Sequence, residues 1–231
     1  MQGLPLATLL LSVPLLVNAA EKTASDTYSD PQNYAQPARI LAEAYGDLDE
    51  DNLPEKVVVL DSGVNGGMGT GRDLLIYKMD NDEIWHLWHT SHGQVMESDA
   101  GGMMGDPFES LSIVRGAIVI SHFGGSRDKW NYTHRYRYQD NDWYLIGATI
   151  YQGAPCDTFM SFDYNLLSGK AIYEQGSEYN QGDCGPDMGM PQKALKKTLS
   201  LPLATLPKMD SFYPAGTAVK LEQGIDRTVY Y

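Results

Sequence analysis

The chain has few cysteines, few basic residues and no long apolar run. Among its 231 residues there are only two cysteines, Cys156 and Cys184. Their separation is not that of a CxxC redox pair. In an exported chain the even count predicts a disulfide between them, worth roughly 3–4 kcal/mol by chain entropy. Lys and Arg total 17 against 30 Asp and Glu, a formal charge of −13. Such a surface repels phosphate backbones and anionic lipid, which argues against a nucleic-acid or membrane-surface role. The N-terminal apolar run, residues 4–17 (LPLATLLLSVPLLV), falls short of the roughly 20 apolar residues that span a bilayer.

That stretch is followed by small residues, with Val17 and Ala19 at the −3 and −1 positions of a cleavage site. We therefore expect residues 1–19 to be a signal peptide and the protein to be secreted or periplasmic. Residues 20–36 are polar and read as a disordered lead-in. The expected β domain covers 37–176, and a Pro- and Gly-rich extension, 177–231, is expected to pack on it.

Fifteen Tyr and 23 Gly and short apolar runs between turn signals predict an all-β or β-dominated fold, a sandwich or a partly propeller-like sheet of antiparallel hairpins. Residues 57–60 form a continuous apolar run. Residues 74–79 and 84–89 flank Asp80-Asn81-Asp82, and 111–114 and 117–123 flank Arg115-Gly116. Residues 158–164 and 170–174 form a further hairpin around Ser168-Gly169. The clearest strand alternates Trp130, Tyr132, His134, Tyr136 and Tyr138 with Asn131, Thr133, Arg135 and Arg137. It has one aromatic and one polar face and turns through Asp140-Asn141-Asp142 into 143–151. Helical turns are expected only at 34–44 and 191–199.

The densest chemistry lies in Asp47-Leu48-Asp49-Glu50-Asp51-Asn52-Leu53-Pro54-Glu55. Carboxylates at i, i+2 and i+4 in a curled loop aim at one point, as a hard cation with six to eight oxygen ligands requires. Asp47, Asp49 and Asp51 would bind through side chains, Leu53 through its carbonyl, and Glu55 directly or through water. The alternative is an empty solvated turn. Val58 stands at the twelfth position, so the closing glutamate of an EF-hand is missing. GDLDEDNLPEKVVVL resembles the loop and strand of FG-GAP/VCBS-type repeat proteins, a likeness that implies calcium. It occurs once, with Asn52 where the family has Gly. The wider layout also resembles secreted bacterial proteins of unknown function.

Other groupings carry less. His86, His89 and His92 recur every three residues, yet on a strand the first two point to opposite faces. Asp99 or His122 would have to complete a metal site with them. GGMGTGR (66–72) is glycine-rich but lacks the Gly-Lys-Ser/Thr of a phosphate loop and leads into a strand, so it reads as a hairpin loop. GGMMGDPF (101–108) is expected to tuck Met103 and Met104 into the core rather than present them. Ser126, Asp128 and His122 are close in sequence without forming a nucleophile motif, and no GxSxG is present. Asn131-Tyr132-Thr133 matches a glycosylation sequon inside an expected strand.

The sequence thus reads as an exported, non-enzymatic binding or interaction protein with a structural calcium loop and a protein or glycan partner. One alternative is an exported hydrolase using a metal or a carboxylate pair. A further one is a periplasmic inhibitor that meets a basic enzyme by charge complementarity.

Overall fold

Alternating side chains and turn residues that accept positive φ dictate hairpins, and hairpins build nearly the whole molecule. The computed structural model describes residues 39–177, 194–222 and 224–231. Strands β1 (Arg39–Gly46), β2 (Glu55–Asn65), β3 (Thr70–Met79) and β4 (Trp85–His92) form an antiparallel sheet in chain order. A second sheet holds β5 (Phe108–Ile113), β6 (Ile118–Gly125), β7 (Lys129–Gln139), β8 (Asp142–Gly153), β9 (Thr158–Asn165), β10 (Lys170–Ser177) and β11 (Leu195–Ser200), also in chain order. A small hairpin, β12 (Ala218–Leu221) and β13 (Arg227–Tyr230), follows. The fold is all-β, as expected, and its sheets are open rather than closed into a barrel.

The expected hairpins form. Asp140 and Asn141 take φ of 51° and 61°, the pairing that matches strand twist, and join β7 to β8. Between β3 and β4, the Asp80 carboxylate accepts the amides of Asp82 and Ile84, both at 2.9 Å. The two regions expected to hold helical turns are instead strands where they are described. β1 pairs with β2 from Arg39 to Gly46, and β11 pairs with β10 from Leu195 to Ser200. Ala, Glu and Lys favour helix weakly, but the open backbone of a neighbouring strand supplies the hydrogen bonds that decide the outcome.

Val57, Val59, Leu74 and Ile76 from the first sheet share one buried cluster with Ile118, Ile120, Tyr136, Leu145, Ile150 and Phe162 from the second. The two sheets therefore pack face to face around this core. Trp88 of β4 meets Tyr138 and Trp143 edge-on, with ring centroids 4.5 and 5.3 Å apart. The C-terminal segment closes the core with Met209, Phe212 and Tyr231, and buried Gln94 donates to the carbonyls of Met209 and Phe212 at 2.6 and 3.0 Å. Val58, Leu60 and Leu75 form a second small cluster with Tyr77. The expected signal peptide, the lead-in through residue 36 and Cys184 lie outside the described residues. Cys156 sits at φ 59° between β8 and β9.

The inward face of β7 carries a polar surprise. His134 is fully buried among Tyr132, Tyr136 and Phe212, and neither ring nitrogen has a hydrogen-bond partner among the described residues. Buried His122 accepts the Met96 amide at 3.1 Å through Nε2, and its Nδ1 has no partner among the described residues. Burial pushes the imidazole of His122 down to about 4, helped by Arg72, and that of His134 down to about 3, helped by His122 and Arg135. Both rings stay neutral in the fold yet take protons in the unfolded chain below about pH 6.5. Their stabilisation is therefore complete above pH 6.5 and is lost as the pH falls toward 4 and 3. By pH 4 each costs on the order of 3 kcal/mol. Urea unfolding between pH 7 and pH 4 is expected to show this loss. H134F is expected to remove about half of it, the share of His122 remaining, without lowering stability at pH 7, because it removes two unpartnered nitrogens.

Candidate metal centre and a buried charge network

The acidic loop runs from the end of β1 to the first residue of β2, a place where the chain must reverse within a few residues. Asn52 and Glu50 absorb the reversal at φ 67° and 66°. Asp47 organises the turn: its Oδ1 accepts the Glu50 amide at 2.7 Å and its Oδ2 the Asn52 amide at 3.0 Å. Glu55, only 1% exposed, reaches back to accept the Leu48 amide at 2.6 Å. Asp49 is bonded to the Lys78 ammonium through Oδ2, while its Oδ1 is buried without a partner among the described residues. One oxygen from each of Asp47, Asp49 and Glu55 lies within 4.8 Å of the others. Three of the predicted ligands thus come together. Asp51 instead turns its carboxylate to the Leu53 amide at 2.7 Å.

The electrostatics suit a cation. Burial pushes the Glu55 carboxyl up to about 7; the Leu48 amide pulls it down, and the negative charges of Asp49 and Asp51 push it up. Burial works against the charge on Lys78, but Asp49, Glu55 and Asp51 outweigh it and hold the ammonium protonated. Lys78 also lies 4.1 Å over the Trp88 ring, a cation–π contact that fixes its position. The loop is braced from the other sheet. A Cβ on Gly46 would stand 2.8 Å from Ile113 Cγ2, and one on Gly116 would stand 3.7 Å from the Asp47 carbonyl oxygen.

The histidine triplet does not converge. A bulge opposite Ile76 and Tyr77 breaks the alternation of β4, and the three rings take three different carboxylates. His86 binds Asp80 at 2.6 Å, His89 binds Asp210 at 3.0 Å, and His92 binds Asp73. His122 is committed to the Met96 amide in the core, so it joins neither a metal site nor a triad with Ser126 and Asp128. Met103 and Met104 are 86% and 46% exposed, contrary to the expected core placement. Gly102 and Gly105, at φ 66° and 76°, curl this loop tightly enough to turn both side chains outward.

Sequence reasoning missed a charge network inside the fold. Arg72, the last residue of the glycine-rich GGMGTGR segment, is only 3% exposed. Its guanidinium forks onto Asp106 with two bonds of 2.5 Å and lies 3.9 Å from Asp61, itself nearly buried. Burial works against ionisation of Asp106, yet the Arg72 fork and the Phe108 amide hold its carboxyl below the usual range. Beside it, buried Asp73 holds His92, whose ring the carboxylate keeps protonated to a higher pH than usual. A cleft of about 440 Å³ opens here, lined by Ser62, Arg72, Asp73, His92, Glu97 and Tyr213. The only sequence signal was an arginine in a loop, 34 residues from its main partner.

Removing Arg72 would leave the nearly buried Asp61 without its nearby cation and the half-exposed Asp106 without its fork; because water re-solvates Asp106, the cost is on the order of 1–3 kcal/mol. R72M is expected to fall in that range by chemical denaturation at pH 7. D106N, which keeps an acceptor for the fork, is expected to lose less.

No family model, no curated protein and no solved structure matches this chain.

Proposed function

We propose that this is an exported, non-enzymatic β-sheet protein that binds a partner, with the loop from Asp47 to Glu55 holding a structural calcium ion. The observation that carries the calcium reading is the convergence of Asp47, Asp49 and Glu55, with an Asp49 oxygen buried and lacking a partner among the described residues. Hard oxygens at a turn suit calcium rather than zinc, which favours nitrogen and sulfur. A bound cation would offset the mutual repulsion of these carboxylates and tie the end of β1 to the start of β2. Asp47 already shapes the turn through backbone amides, Glu55 supplies the buried acid, and Lys78 shares Asp49 with the ion.

A second reading, an exported hydrolase, draws on the Asp73–His92 pair, in which a buried carboxylate orients a half-exposed imidazole in a cleft. If that reading holds, H92A abolishes turnover of a glycosidase or esterase substrate that the parent protein cleaves.

The calcium reading is tested by thermal unfolding with calcium and with chelator. Saturation at one hundred times Kd stabilises by about 2.7 kcal/mol, expected here as a rise of several degrees in Tm. D49N is expected to abolish the rise. K78M, which removes the competing ammonium, is expected to bind calcium more tightly by titration calorimetry. An unchanged Tm in the parent protein overturns the reading.

A further inference from the structure

The outward face of the seven-stranded sheet gathers positive charge in a chain where Asp and Glu outnumber Lys and Arg 30 to 17. Arg135 and Arg137 lie on the side of β7 opposite the buried Tyr132, His134 and Tyr136. Arg115 reaches the same place from the β5–β6 turn, where it and Gly116 take φ of 51° and 67° and hold a two-residue reversal. The three arginines line one groove of about 650 Å³ together with Asp163, Asn165 and Leu167. That volume is in the range of small-molecule sites.

The groove is built rather than incidental. Arg135 donates to Thr149 at 2.9 Å, and Thr149 donates to Asp163 at 2.8 Å, so this guanidinium is aimed by a relay across three strands. Opposite Arg135 stands Gly147, where a Cβ would press within 3.3 Å of the arginine's Cδ. Beside it β8 bulges, with Ile146 as the extra residue, and the bulge deepens the floor. Arg115 and Arg137 form no ion pair among the described residues, so two guanidiniums stand available for an outside anion.

From this geometry we infer that the groove binds an acidic carbohydrate, a sugar bearing carboxylates. This inference rests on the reading of the protein as a binding module and names the ligand class, but it does not depend on the calcium loop. Arg115 and Arg137 match the planar two-oxygen geometry of a carboxylate. Asp163 and Asn165 supply acceptors and donors for hydroxyl groups. Leu167 and Val114, 48% and 45% exposed, offer the apolar surface that the CH face of a sugar ring covers. An extended peptide would add to a free sheet edge, whereas this groove lies on a face, across β6 to β9.

The test is titration calorimetry with a galacturonic acid trimer at low salt, set beside maltotriose, hexaglutamate and inorganic phosphate. The uronate is expected to bind, weaken with added salt, and exceed maltotriose by at least about tenfold, the scale of one lost charge-assisted fork. R137Q and R115Q are each expected to weaken it by about tenfold, with R137Q leaving the calcium-dependent rise in Tm unchanged. G147A, which narrows the floor without removing charge, serves as the second variant and is also expected to weaken binding. The inference is overturned if the uronate does not bind, if R137Q and G147A bind it as the parent does, or if maltotriose or phosphate binds equally well. Tighter binding of hexaglutamate overturns the ligand class while leaving a binding module in place. Loss of the calcium effect alone bears only on the acidic loop.

Discussion

One guanidinium joins the two sheets where their chains cross over. Arg72 stands in β3 of the four-stranded sheet, and its fork closes on Asp106, just ahead of β5 in the seven-stranded one. An arginine this deep is costly to desolvate, and the cost is offset only because both Asp106 oxygens, the Met96 carbonyl and the nearby Asp61 share it. Once made, the contact fixes the path of the crossover chain. Glu97 and Ser98, on that path, then bond the amides of Met68 in the β2–β3 loop and of Thr70 at the start of β3. A loop rich in glycine is thereby held in place by side chains far away in sequence.

Two kinds of polar group inside the molecule behave differently. The Arg72 cluster is charged and closely paired, so its demand is geometric. His122 and His134, and the unpartnered Tyr136 hydroxyl, sit neutral within the aromatic core. Their demand is chemical, since the fold tolerates them only while they carry no charge. The sheet-to-sheet contact thus combines a clamp indifferent to mild acid with a core that is sensitive to it.

The hairpins were legible because alternation and turn residues are local signals. Trp130 to Tyr138 announces both faces of β7, including the polar side that carries Arg135 and Arg137. The acidic loop was legible for the same reason, as its carboxylates are spaced within nine residues. β1 and β11 were not, because RILAEAYG and LKKTLS have no strong strand preference and become strands only beside β2 and β10. Arg72 was hidden because a buried role depends on Asp106, a partner that no spacing rule connects to it. The outward turn of Met103 and Met104 depends on the backbone at Gly102 and Gly105, which composition does not specify. Local chemistry is written in the sequence; long-range pairing is written in the fold.

The close approach of Gly116 to the Asp47 backbone has an electrical consequence. It sets the most acidic loop of the chain next to the turn that carries Arg115. Opposite charges held side by side on one end of the molecule form a steep local dipole. A molecule with separated charges drifting toward this turn feels a torque before it touches anything, and arrives already oriented.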